Sequence, residues 1–120
     1  MSRIEKFEDI KAWQAARELV NGVYEVSKQG DFRRDFGLRD QICRAAGSAM
    51  HNIAEGFDAG SDKEFIRFLK YARRSASEVQ SQLYIALDQQ YIEQAQFCSL
   101  YDQATRTKKM INAFIGYLKR

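Results

Sequence analysis

There is no proline in the 120 residues, and its absence removes the residue that most often breaks a helix. Cysteine is scarce: Cys43 and Cys98 stand far apart, form no C-x-x-C pair and share the chain with a single histidine. That set is too small for a structural zinc site, so each thiol is expected to pack as a small hydrophobe, buried or half-buried. No apolar run approaches the ~20 residues of a membrane span. The N-terminal MSRIEKFEDIK has no apolar stretch of signal-peptide length. A soluble, cytoplasmic protein is the expectation. Strand-type alternation, internal repeats, linkers and low-complexity stretches are all missing. The length fits one domain, 1–120, able to bury a full core without staples.

What is present is helical periodicity, in four segments. The first runs from about Glu8 to Lys28, with Ile10, Trp13, Ala16, Val20 and Val23 on one stripe and Ala12, Ala15, Leu19 and Val26 on another. Gly30 and the polar run GDFRRD end it. The second runs from about Gly37 or Leu38 to Gly56, with Ile42, Ala49, Ile53 and Phe57 on its apolar face. Its middle, AAGSA (45–49), is all small, and Gly47 is expected to mark a close helix approach, since glycine there costs ~1 kcal/mol of helix propensity. The third starts at SDKE, where Ser61 and Glu64 have capping-box spacing. Its stripe is Phe65, Phe68/Leu69, Ala72, Ala76, Val79, Leu83 and Ala86/Leu87. The fourth, from about Glu93 to Leu118, carries Phe97, Leu100, Ala104, Thr107, Ile111, Phe114 and Leu118, a heptad seam with one polar member. Connections of about ten, four and three residues make neighbouring helices antiparallel. The expected fold is all-α, an up-down-up-down four-helix bundle.

Little of this supports catalysis. Di-iron bundles need Glu-x-x-His on two helices, and here the residue three before His51 is Ser48. His51 and Glu55 share a helix face, but two ligands do not make a metal site. Ser48 beside His51 has no third group to complete a nucleophile. GFDAGS lacks the lysine and preceding strand of a phosphate loop. The expectation is therefore no enzyme activity, no catalytic residue, no metal and no cofactor. Trp13 is open between core and an anchor for another subunit. Tyr24, Tyr71, Tyr84, Tyr91, Tyr101 and Tyr117 lie off or beside the main stripes, a pattern that suggests a self-association surface.

Net charge is +3, and the excess sits late: residues 91–120 hold five basic and only two acidic side chains. Basic residues cluster at Arg33, Arg34, Arg39 and Arg44, at Arg67, Lys70, Arg73 and Arg74, and at Arg106, Lys108 and Lys109. Arg67, Lys70 and Arg74 form one helical stripe. They are read either as a solvated face laced with Asp and Glu or as phosphate contacts for nucleic acid. The candidate nucleic-acid-binding set is Arg67, Lys70, Arg73, Arg74, Arg106, Lys108, Lys109, Lys119 and Arg120. In HNIAEGF, Asn52 and Glu55 are polar on an otherwise small, apolar helix. They are expected to hydrogen-bond across to the third helix, with Arg73, Ser75 or Glu78 as partners, and so to fix register.

Three stretches, FEDIKAWQAARELV (7–20), FGLRDQICRAAGSAMHNIAEGF (36–57) and DKEFIRFLKYARRSASEVQSQL (62–83), resemble a bacterial family of small four-helix-bundle proteins. Its first recognised members are encoded in intervening sequences of large-subunit ribosomal RNA genes. A related branch is the accessory variability determinant of diversity-generating retroelements. The resemblance implies a barrel-shaped homopentamer. It also implies a non-catalytic partner that binds nucleic acid, RNA above all, and a reverse transcriptase. The alternative is a structural or protein-interaction module with no nucleic-acid role. The chain departs from the family where many members have Ile-Pro-Ser and Ala-Arg-Gly-Ser. It has Ala49, Met50 and His51 at the first, and Ala72, Arg73, Arg74 and Ser75 at the second, which adds a charge to the basic stripe.

Overall fold

Short polar residues start the middle helices by giving their free backbone N–H groups an acceptor. Asp35 Oδ1 accepts from Leu38 N at 3.1 Å and opens α2 (Phe36–Phe57). Ser61 Oγ accepts from Glu64 N at 3.2 Å and opens α3 (Asp62–Asp88). The reciprocal half of the expected capping box does not form, because the Glu64 carboxylate turns to Arg67 instead. α4 (Gln94–Leu118) begins where Gln96 Oε1 accepts from Glu93 N at 2.8 Å. The chain enters through a single 3-10 turn (Phe7–Asp9) and, after Ile10, α1 (Lys11–Ser27). This computed structural model describes residues 4–120. Of the expected domain 1–120, residues 1–3 lie outside the described residues.

The helices form a four-helix bundle in which α1 packs on α2 and α4, and α3 packs on the same two. Contacts across the seams run in opposite senses along the two helices of each pair. Ser48 meets Ser75 and Gly56 meets Phe65 between α2 and α3. Arg73 meets Asn112 and Ser77 meets Lys108 between α3 and α4. The neighbours are therefore antiparallel, and their connections span 28–35, 58–61 and 89–93.

Two apolar clusters fill the rod. One holds Leu19, Val23, Phe32, Ile42, Val79, Leu83 and Leu100. The other holds Ile10, Trp13, Ile53, Phe65, Leu69, Ile111 and Ile115. Each fully buried side chain of this size contributes about 1.5–3 kcal/mol relative to exposure. Trp13 belongs to the chain's own core, edge-on to Phe7. Most of the expected apolar seams are buried; Val20, Phe57, Phe68, Leu87, Phe114 and Leu118 are only partly covered. Thr107 is fully buried, and its Oγ1 donates to Gln103 O at 2.8 Å, so no polar atom there is stranded.

Several expectations are corrected. Gly47 does not mark a close approach: a Cβ there would touch only the His51 ring, at 3.7 Å. Ala45, Ala46 and Ala49 take the inner face and leave residue 47 beside it. The close approach is at Gly56, where a Cβ would meet Phe65 at 2.8 Å and Phe68 Cβ at 2.9 Å. The GDFRRD run is no plain connector. It folds as a 3-10 turn (Gly30–Arg34) and buries Phe32 completely. Phe32 stacks on Tyr91, whose hydroxyl donates to Asp35 Oδ2 at 2.9 Å. Cys98 is exposed, whereas Cys43 is half-buried.

Candidate nucleic-acid interface

Between Glu64 and Glu78, α3 carries Arg67, Lys70, Arg73 and Arg74 and no carboxylate. Beyond Asp102, α4 and the residues after it carry Arg106, Lys108, Lys109, Lys119 and Arg120 and again none. Because α3 and α4 are antiparallel neighbours, these two acid-free windows lie side by side. Where they meet, Lys70, Arg73, Arg74, Ser77, Lys108 and Asn112 line an open depression of about 370 Å³.

Two of its cations are held by neutral groups on the opposite helix. Arg73 Nη1 donates to Asn112 Oδ1 at 2.6 Å. Lys108 Nζ donates to Ser77 Oγ at 3.2 Å. Neither partner subtracts charge. The ion pairs among the described residues, Arg44–Asp40 and Arg67–Glu64, do not involve the groove. Charges this close act together, since the screening length at physiological salt is ~8 Å. Four cations sharing one concavity with no carboxylate make a positive field that draws anions.

The other basic residues expected to bind are not gathered there. Arg67 bonds the Glu64 carboxylate at 2.8 Å and the Tyr71 hydroxyl at 3.1 Å. Those contacts, Glu64 first, raise its guanidinium pKa. Its charge is thus partly offset at the groove's edge. Arg106 and Lys109 are exposed on α4 outside the groove. Lys119 caps the end of α4, and Arg120 lines a separate depression with Asp62, Tyr117 and Leu118.

The sequence profile of the 23S rRNA-intervening sequence protein family matches residues 8–113. The chain belongs to that family. A crystal structure from the S23 ribosomal protein family of Bacteroides thetaiotaomicron, of a protein of unknown function, superposes with a TM-score of 0.78. It shares 24% identity over 87% of this chain and 97% of its own, a likeness that shows the fold alone. No curated protein matches the chain.

The family match spans every residue of the groove and stops short of Lys119 and Arg120. It also spans the polar contacts between α2 and α3, which differ from the expected set. Asn52 does not reach α3. Its Nδ2 donates to Ser48 O at 2.9 Å and to Ser48 Oγ at 3.0 Å. Ser75 Oγ then donates to Ser48 Oγ at 2.9 Å and closes the link. Glu55 points to solvent, Glu78 only takes a long 3.5 Å bond from Gln82, and Arg73 turns to α4. Ser48, weighed in the sequence only as a nucleophile, is the hub.

Ser77 and Asn112 were overlooked. Each stands four residues after a groove cation, Arg73 and Lys108 respectively, but bonds the cation of the opposite helix, so the spacing within one helix does not reveal the pairing. His51 is exposed on α2, and among the described residues no three His, Cys, Asp or Glu side chains gather as a metal site would require. No helix among the described residues is long and apolar enough to cross a membrane.

Proposed function

We propose that this protein is a non-enzymatic, oligomeric nucleic-acid-binding accessory protein that acts in the cytoplasm and takes RNA along the α3/α4 groove. The observation that carries the reading is the groove itself: four cations from two helices, two of them fixed by neutral partners, and no carboxylate in the lining. Neutralising phosphates releases condensed counterions, so such a surface binds in a salt-dependent and sequence-tolerant way. The family's link to a ribosomal RNA intervening sequence supports RNA as the partner. The finer proposals rest on the likeness of residues 7–20, 36–57 and 62–83 to the family and on its relation to the retroelement branch. They are assembly as a homopentamer, which would repeat the groove around a barrel, and partnership with a reverse transcriptase. Retardation of RNA by the purified protein at low salt, fading as salt rises, is the expected result. Absence of retardation at low salt refutes the reading.

A second reading, an interaction module without nucleic acid, draws on the exposed apolar side chains. Phe36 is 72% exposed, and Tyr24, Tyr84, Ile85 and Tyr117 are each more than 40% exposed. It expects that changing Arg67, Lys70 and Arg74 to Glu leaves the protein's cellular partners unchanged. Loss of those partners eliminates it.

A further inference from the structure

We propose that the turn-side half of the α3/α4 hairpin docks a cationic segment of another protein, with an arginine seated on Tyr84. The proposal is independent of RNA binding in the groove, because it uses the other half of the hairpin. Residues 75–105 carry Glu78, Asp88, Glu93 and Asp102 and no lysine or arginine. The ion pairs among the described residues draw on Asp40 and Glu64, so none of these four carboxylates is paired. One hairpin thus has a positive half and a negative half, and the negative half attracts cations.

The same half shows apolar surface. Tyr84 and Ile85 are 50% and 48% exposed. Past the groove the seam continues through Gln80, whose Nε2 donates to Thr105 Oγ1 at 2.9 Å. One turn further on, the Tyr84 ring packs against Phe97 at 4.8 Å and Tyr101 at 5.9 Å. These contacts fix the ring while half of the side chain stays open. Asp88 stands one turn after Tyr84 and Asp102 next to Tyr101 in sequence, both exposed. An open ring near carboxylates suits a guanidinium, which stacks on the one and pairs with the other.

The other rings of the bundle point the same way. Trp13, Phe36, Phe68 and Tyr71 each have one of the chain's own guanidinium groups within 5.8 Å of the ring centroid. Among the described residues none sits over Tyr84, Phe97 or Tyr101, since the stretch has no arginine to offer. One turn before Ile85, buried Gln82 gives its Nε2 to Glu78 and keeps an Oε1 with no donor. Carboxylates, ring and amide oxygen all lack the same thing, and a cationic partner supplies it.

The test is fluorescence anisotropy of a labelled hexa-arginine peptide titrated with the full chain, with hexalysine for comparison. Hexa-arginine should bind saturably and about threefold tighter than hexalysine, because only a guanidinium stacks flat on a ring. Tyr84→Ala should weaken it about fivefold, and Tyr84→Phe, which keeps the ring, by less than about twofold. Asp88→Asn combined with Asp102→Asn should weaken it about tenfold, whereas Glu55→Gln on α2 should change nothing. The aspartate variants touch no buried group, so they decide the question even where Tyr84→Ala unfolds. Absence of saturable binding, or equal affinity in the parent and the aspartate variants, overturns the proposal. So does a Tyr84→Ala loss confined to RNA, which makes the ring a nucleic-acid contact. A fall in oligomeric mass with Tyr84→Ala in sedimentation assigns the patch to a second copy and overturns it as well.

Discussion

Arg33, Arg34, Arg39 and Arg44, in the turn before α2 and in its first half, and Lys70, Arg73, Arg74 and Lys108 between α3 and α4, are two groups of four cations on one small bundle. Their surroundings differ. The first group is interleaved with Asp31, Asp35 and Asp40. Asp40 pairs with Arg44 at 3.1 Å, and Arg39 donates to Arg33 O at 2.9 Å. Asp35 caps α2 and receives the Tyr91 hydroxyl. The second group has neutral partners and lies between stretches free of acid. Cations hold an anionic ligand where no built-in carboxylate competes for them. The acids around a basic cluster are therefore as informative as its arginines and lysines.

The contrast breaks most visibly under charge reversal. Changing Lys70, Arg74 and Lys108 together to Glu should weaken RNA binding by more than about 100-fold, whereas the same change at Arg33, Arg34 and Arg44 should cost less than about fivefold. Equal losses in mobility-shift titrations would erase the distinction. Next in size is Asp35→Ala, which removes the α2 cap. It should cost about 1 kcal/mol of stability in urea unfolding and leave RNA affinity nearly unchanged. Asp40→Asn releases Arg44 and should strengthen RNA binding by about twofold. Stability should barely move, because exposed ion pairs contribute about 0–1 kcal/mol.

The smallest effect is confined to alkaline pH. The bond to Asp35, then burial, then the charges of Asp35 and Asp31 raise the Tyr91 phenol above its ordinary 10.0. A raised folded pKa means stability that is present below pH 10 and lost as pH climbs through the folded value. Tyr91→Phe should therefore unfold at lower urea than the parent at pH 8, with the gap closing above about pH 10.

Much of the bundle was legible because each helix keeps one apolar period from end to end. Leu69, Ala72, Ala76, Val79 and Leu83 are buried where the α3 spacing puts them. Phe32 was not legible, since periodicity stops at Gly30 and one buried ring in a five-residue turn has no repeat to reveal it. Nor was Gln90 at the end of α3, which takes φ 63° so that Tyr91 N can reach Ala86 O at 2.9 Å. Glycine is the usual residue at that position. The groove was half legible. Periodicity on α3 grouped Arg67 with Lys70 and Arg74, but Glu64 one turn earlier draws Arg67 aside. The pairing of Arg73 and Ser77 with Asn112 and Lys108 depends on the register of one helix against another, which neither helix's own pattern encodes.

That shared register has a thermodynamic consequence. Neither helix alone can form the groove, and the unfolded chain disperses the same charges along its length. A ligand held between Arg73 and Lys108 is thus linked to folding, and RNA at a hundred times its dissociation constant should add about 2.7 kcal/mol to the unfolding free energy. The melting temperature of the bundle would then report RNA occupancy, rising with each increment of free RNA and falling back as salt displaces it.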